Sequence, residues 1–311
     1  MGTPEFAVPS LESLLKSPHQ VVGVVTQPDR PKGRGQDVVY SPIKLICLRD
    51  HIPYLQPTKM KDPVFLDALR AWQPDVIAVT AFGRILPPAV LSLPPRGCVN
   101  VHGSLLPKYR GAGPVQWAII RGERETGITT MMMDEGMDTG AMLLQESIPI
   151  EPDDTAGTLA PKLAKIGGRL LVETLRQLEA GTLVPRQQDH TLATMAPILK
   201  KEDGQIDWAM SAADIRNRIR GLSPWPGAYT DCKGERWSLW LVAVHEGTAT
   251  APPGTVTNVT KDAVDVATGE GTLRLKEIQP ANSRRMTMAQ YLAGHRLVPG
   301  TILGASLKPN A

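Results

Sequence analysis

The sequence is poor in cysteine, in net charge and in long apolar runs. Only three cysteines occur, Cys47, Cys98 and Cys232. An odd number, so widely spaced, fits neither a disulfide framework nor a zinc site and points to a reducing compartment. No apolar stretch approaches the roughly 20 residues that span a bilayer. The opening residues, Met-Gly-Thr-Pro-Glu-Phe, have neither the basic nor the apolar region of a secretory signal. A cytoplasmic protein without membrane contact is expected. Formal net charge is +3, too small to demonstrate nucleic-acid binding. The excess is uneven, however: residues 204–311 hold 12 Lys/Arg against 9 Asp/Glu, and residues 1–203 hold 22 of each. Familiar catalytic signatures are also lacking. There is no GxGxxG after a strand, no P-loop, no HExxH, no CxxC and no GxSxG, and no metal site is expected.

What is present is a 311-residue chain with 42% hydrophobic and 21% charged residues. That is ordinary for a globular protein and long enough for two domains. Short β-branched runs alternate with helical patterns over the first 180 residues. Val21 to Thr26, Asp75 to Thr80, Cys98 to His102 and Ile128 to Met132 read as strands. Ser10–Leu15, Ile43–Leu48, Pro63–Trp72 and Thr158–Leu178 read as helices. Strands separated by helices predict an α/β, Rossmann-like, mostly parallel doubly wound domain over residues 1–181. The turn Gly2-Thr3-Pro4 normally follows a buried strand, yet only Met1 precedes it. Either the sheet is one strand short or the stated start lies downstream of the true one, and the second is the expectation. Residues 182–206 are polar, carry two prolines and lack periodicity, which reads as a linker. Residues 207–311 begin with a helical pattern at Ala212–Ile219. Short alternating runs follow at 236–244, 254–259, 263–268 and 272–278, predicting a small OB-like β-barrel.

The segment Cys98-Val-Asn-Val-His-Gly-Ser-Leu-Leu-Pro107 carries the first chemical signal. Alternation along a strand turns Asn100 and His102 to one face and Val99 and Val101 to the other. Polar side chains at the carboxyl end of a parallel strand sit where open α/β sheets bind ligands. An imidazole can exchange a proton near neutral pH, and an Asn amide can donate to an oxyanion. The two side chains could equally well satisfy one another. In Met133-Asp-Glu-Gly-Met-Asp-Thr-Gly140, glycines bracket Asp138, which suits either a loop delivering a carboxylate to an imidazole or an acidic surface turn. Lys108 to Trp117 is a Gly/Pro-rich stretch, either a substrate-lining loop or a strand-to-helix connection. Thr26 to Gln36 interleaves Arg30, Lys32 and Arg34 with structure-breaking residues, as an exposed mobile loop that either clamps phosphates or is merely solvated. The remaining histidines (His19, His51, His190, His245 and His295) lack motif context and read as structural or exposed.

Taken together, Asn100-Val-His102, Ser104-Leu-Leu-Pro-Lys-Tyr-Arg-Gly and Gly136-Met-Asp138-Thr-Gly resemble the folate-dependent formyltransferases. The resemblance implies a catalytic set of Asn100, His102 and Asp138. It also implies a folate site lined by Ser104, Leu105, Leu106 and Pro107, to which Phe82, Gly83 and Arg84 are added, and 10-formyltetrahydrofolate as co-substrate. Gly2 to Ala7 (GTPEFA) and Thr26 to Gly35 (TQPDRPKGRG) look like the branch of the family that formylates methionyl-initiator tRNA, whose basic loop meets the acceptor arm. Asp207-Trp208, Pro224-Trp225-Pro226 and Val298-Pro299-Gly300 are similar to landmarks of that branch's C-terminal domain. The implied reaction is attack of the aminoacyl amine on the formyl carbon through a tetrahedral intermediate. Asn100 would donate to the oxyanion, His102 would manage protons, and Asp138 would orient and electrostatically support it. Arg30, Lys32, Arg34, Arg216, Arg218 and Arg220 are the expected tRNA contacts, and a monomer is expected because a bulky tRNA must reach both domains. An amino-sugar N-formyltransferase and a catalytically silent RNA-binding relative are the alternatives.

Overall fold

Short polar side chains followed by proline set where several helices begin. Ser41 accepts the backbone N–H of Lys44 ahead of Pro42, and Asp62 accepts that of Val64 ahead of Pro63. In each case the cap satisfies an orphan donor, and proline supplies a helical φ where no donor is required. The computed structural model of the chain describes residues 1–32, 37–245 and 250–304, apart from the side chains of residues 30–32, 37 and 38. Two compact units emerge, Met1–Pro114 with Glu125–Pro149 and Leu159–Pro197, and Val115–Arg124 with Ile150–Thr158 and Ile198–Ala311.

In chain order the first unit holds α1 (Val8–Leu15), β1 (Val24–Val25), β2 (Arg30–Lys32), β3 (Asp37–Val39), α2 (Pro42–Arg49), β4 (Tyr54–Leu55), α3 (Pro63–Ala71), β5 (Ile77–Thr80), α4 (Pro88–Leu91) and β6 (Cys98–His102). Then come α5 (Pro114–Ile120), which from Val115 belongs to the second unit, β7 (Glu125–Met132), β8 (Met142–Pro149) and α6 (Ala156–Ala180). Strands β1 and β4 pair in parallel, as do β5 and β6. Adjacent residues of β1 face opposite layers. Val24 packs with Ala7, Leu11, Ile43 and Ile46, while Val25 packs with Phe65, Leu69, Ile77 and Val79. Helices thus cover both faces, as the apolar runs predict for a buried parallel sheet. The sheet ends differently from its beginning: β7 runs antiparallel to β6, and β8 returns antiparallel beside β7. Tight connections through residues 133–141 make this a hairpin, and β8 is a strand that the polar alternation of Gln145, Glu146 and Ser147 concealed.

Met1 and Gly2 run between β1 and β5. Gly2 donates to the Val25 carbonyl at 3.1 Å, and the Thr80 N–H donates to the Met1 carbonyl at 2.9 Å. Of the expected strand Val21–Thr26 only Val24–Val25 is paired strand, in register with Tyr54–Leu55 of β4. Below them lies a cavity of about 510 Å³ walled by Val22, Gly23, Trp72, Val76, Leu171 and Leu175.

The second unit contains α7 (Ala212–Gly221), β9 (Ala228–Cys232), β10 (Glu235–His245), β11 (Val256–Val259), β12 (Val264–Ala267), β13 (Thr272–Pro280), β14 (Met286–Thr287) and α8 (Met288–Leu292). Its strands are antiparallel in the order β11-β12-β13-β10-β9, with β14 on β13. Residues 300–304 draw the two edges together. Leu303 bridges Cys232 at the end of β9, and Ile302 bridges Thr255 at the start of β11. Inward-facing Trp237, Leu239, Val264, Val266, Leu273, Leu275 and Ile278 fill the interior with Ile215, Ile219 and Leu222 of α7. This is the small barrel that the alternating runs predicted, with β9 and the short β14 added.

Candidate active site

Strands β5 and β6 are parallel neighbours, with Thr80 opposite Val101, so the loops after them leave on the same end of the sheet. His102 is the last residue of β6 and is buried, and Asn100 on the same face is half-buried. From the other side comes the loop joining β7 to β8, which carries Asp138 in the left-handed region at φ 54°. Asp138 is the hub. One carboxylate oxygen, Oδ2, accepts the Gly111 N–H at 2.8 Å and lies 3.6 Å from His102 Nδ1. The other, Oδ1, accepts from Asn100 Nδ2 at 3.4 Å. The three residues singled out in the sequence are brought together, and the Gly111 backbone joins them.

Geometry also assigns the histidine proton. His102 Nε2 lies 2.8 Å from the Tyr109 carbonyl, which can only accept, so Nε2 carries hydrogen and donates. In the neutral ring the basic nitrogen is then Nδ1, beside Asp138. A main-chain carbonyl thus fixes the tautomer, and the carboxylate flanks the other ring nitrogen. Tyr109 stands at φ 62°, so the two residues that meet His102 both occupy a left-handed conformation, which costs roughly 1–3 kcal/mol each for non-glycine residues. Gly111 is required for close approach: a Cβ there would lie 2.7 Å from the Ala196 carbonyl oxygen. Gly140 is more tightly placed still, with 1.9 Å between a built Cβ and the Met132 carbonyl oxygen. All three cysteines are buried, and their thiols are pushed up to about 11, which removes the nucleophilic thiolate.

The expected folate-lining residues divide into two kinds. Ser104 is fully buried and donates to the Lys108 carbonyl at 2.6 Å, and Leu106 is packed against Met131 and Met142. Thr129 pins their segment, accepting the Leu106 N–H and donating to the Ser104 carbonyl. These two side chains shape the loop, whereas Leu105 and Pro107 retain accessible surface. In the neighbouring loop Phe82 is buried, with its carbonyl accepting from Gln27 at 2.8 Å. Arg84 donates to the Thr58 carbonyl at 2.7 Å, Gly83 is exposed, and Ile85 is 82% exposed. These exposed and half-exposed residues lie on the loops that follow β5 and β6 and leave the same end of the sheet.

The expected tRNA contacts fare unequally. Arg30–Lys32 pairs antiparallel with Asp37–Val39, so the stretch expected as an irregular loop forms a two-stranded arm. Alternate N–H groups of such a ribbon face outward, which accommodates Pro31. Arg34 lies outside the described residues. The cluster on α7 is anchored within its own unit. Arg216 donates to the Pro152 carbonyl at 2.6 Å and to Asp153, and Arg218 to the Asp203 carbonyl at 2.6 Å. Arg220 donates to the Asp154 carbonyl at 2.9 Å and to Asn217 at 2.7 Å, and burial lowers its affinity for the proton. These guanidinium groups are engaged with carbonyls of their own unit, and all three residues remain partly exposed. Sequence reading also passed over the Tyr109 carbonyl, Arg110 and Gln188. Only the first two had a signal, lying in the Gly/Pro-rich stretch.

Comparison with known proteins supplies a further finding. A formyl transferase family model matches residues 1–175, and one for the formyl transferase C-terminal domain matches residues 198–296. The chain is 53% identical over 304 residues to the methionyl-tRNA formyltransferase of Caldanaerobacter subterraneus subsp. tengcongensis, covering 97% of this chain and 98% of the relative. It is 51% identical over 303 residues to that of Desulfotalea psychrophila, covering 97% and 94%. Among solved structures, the sugar 3N-formyl transferase WlaRD, crystallised with dTDP and 5-N-formyl-THF, superposes with a TM-score of 0.67 at 19% identity, covering 91% of this chain and 97% of that one. The N-formyltransferase of Helicobacter canadensis, in complex with folinic acid and dTDP-3-aminofucose, gives 0.65 at 18% identity, covering 92% and 97%. At that identity the likeness concerns the fold.

Proposed function

The chain belongs to the formyl transferase family, and on that premise we propose that it moves the formyl group of 10-formyltetrahydrofolate to the α-amino group of methionine esterified to initiator tRNA. The observation that carries this reading is half-identity, over 97% of the chain, to proteins named methionyl-tRNA formyltransferase. The sugar formyltransferases share the fold at 18–19% identity and offer no comparable support for a sugar acceptor.

In the proposed reaction the amine nitrogen attacks the formyl carbon, a C–N bond forms, and the carbonyl oxygen takes up the charge of a tetrahedral intermediate. Asn100 Nδ2 exchanges its long 3.4 Å contact with Asp138 for that oxygen. Removing one such donor typically costs about 3 kcal/mol. The amine proton passes to the Asp138–His102 pair, which then protonates the leaving N10 as the carbon–N10 bond breaks. Leu105, Pro107, Gly83 and Ile85 border the folate. No covalent link to the protein is needed.

Arg30, Lys32 and Arg34 are proposed to bind phosphates of the acceptor arm. Replacing all three by alanine should raise KM for methionyl-tRNA at least tenfold, leave KM for the folate unchanged, and flatten the dependence of tRNA affinity on salt. Equal salt slopes for the two proteins would remove these residues from the tRNA interface. Among the described residues no helix is long and apolar enough to cross a membrane. We take the enzyme to act as a cytoplasmic monomer; a dimer mass in equilibrium sedimentation contradicts the second part. The decisive assay compares methionyl-initiator tRNA, free methionine and an amino-sugar nucleotide as acceptors. Transfer to the tRNA alone is expected, and transfer to the sugar overturns the acceptor.

A further inference from the structure

Asp138 is held at both ends by one dipeptide, and a single glutamine closes the circuit. Its carboxylate accepts the Gly111 N–H at 2.8 Å. Its own carbonyl accepts from Gln188 Nε2 at 2.8 Å, and the Gly140 carbonyl accepts from the same nitrogen at 2.8 Å. Gln188 Oε1 in turn accepts from Arg110 Nε at 3.1 Å and Nη2 at 2.7 Å. Arg110 and Gln188 are 7% and 5% exposed. The amide cannot turn round, because a guanidinium only donates and the two carbonyls only accept. Further partners fix Arg110: its Nη2 donates to His190 Nδ1 at 3.0 Å, its N–H to the Thr194 carbonyl at 2.8 Å, and its carbonyl accepts the Ala196 N–H at 2.7 Å.

Each bond has a physical necessity. A non-glycine residue in the left-handed region persists only where its surroundings over-determine it. Asp138 has this conformation, at φ 54°, and without Gln188 the carbonyls of residues 138 and 140 lose these donors. Released, the loop between β7 and β8 can relax its backbone and carry the carboxylate away from His102.

We propose that Gln188, oriented by Arg110, is a positioning residue for the transfer reaction, holding the Asp138 carboxylate against His102 and Asn100. It touches neither substrate and acts through Asp138 alone. The proposal rests on the catalytic reading of Asp138 given above. It also gives a catalytic consequence to residues 186–196, a stretch the sequence presents as connecting chain.

Gln188→Glu is the discriminating change. A glutamate keeps both acceptors for Arg110 and the side-chain volume, but faces the two carbonyls with no donor. Expected is a fall in kcat of about 10- to 100-fold, the scale of an ångström-sized misplacement, with KM for folate and for methionyl-tRNA each within about threefold. The second measurement is the same substitution in an Asp138→Asn background. A residue that acts through Asp138 has little left to lose there, so the additional loss should be under about threefold. Wild-type kcat in Gln188→Glu, or losses that multiply in the double variant, would overturn the proposal; the latter holds even if Gln188→Glu is less stable. A wild-type protein that fails to formylate methionyl-tRNA would instead sink the proposed function.

Discussion

Replacing His102 by alanine is expected to lower kcat for formyl transfer to methionyl-tRNA by about 10²- to 10⁴-fold, the contribution of a positioned acid–base group. The attacking amine must shed a proton and the folate nitrogen must gain one. In the proposed mechanism His102 makes that exchange, and it lies between a carbonyl that only accepts, Tyr109 at 2.8 Å from Nε2, and a carboxylate oxygen 3.6 Å from Nδ1. The side chain is nearly inaccessible, so its removal should barely change the KM of either substrate. Steady-state kinetics at saturating folate give the answer. Retention of a tenth or more of wild-type turnover would contradict the assignment.

Asp138→Asn is expected to cost a comparable amount, about 10²- to 10⁴-fold, the contribution of a positioned acid–base pair, although only one atom changes. The carboxylate has donors on both oxygens, Gly111 N–H on one and Asn100 Nδ2 on the other. An asparagine has one acceptor and one NH₂, so its donor must oppose one of these two donors. If NH₂ faces Asn100, the amide proposed for the oxyanion is turned away. If it faces Gly111, the loop loses its anchor and His102 loses its flanking charge. Asp138→Glu should recover little, because the longer chain cannot keep both contacts from a left-handed backbone. A nearly active Asp138→Asn protein would reduce Asp138 to a loop residue and take the Gln188 circuit with it.

The chemical core of the site was legible because its residues lie on regular structure or beside glycine. Period-two alternation alone puts Asn100 and His102 on one face of a strand, and the glycines around Asp138 announce a tight loop. The α7 arginines show the opposite case. Their sequence looks like a basic patch, yet Arg216, Arg218 and Arg220 donate to carbonyls at residues 152, 203 and 154. Nothing in a one-dimensional charge pattern tells whether a guanidinium meets a phosphate or its own backbone.

By itself the sequence determined the local physics. Apolar period assigned strands and helices, Ser41-Pro42 and Asp62-Pro63 started helices, and the motif order identified the family. These depend on interactions within a few residues. Tertiary structure alone decided which groups meet across long separations: Asp138 with Asn100, 38 residues away, and Gln188 with Arg110, 78 away. It also decided that β7 and β8 close the sheet antiparallel, and that the Tyr109 carbonyl sets the His102 tautomer. A backbone carbonyl has no residue identity to read, and a lone glutamine in a polar stretch has no periodicity. Their roles exist only once folding has buried them where an unmet hydrogen bond would be costly.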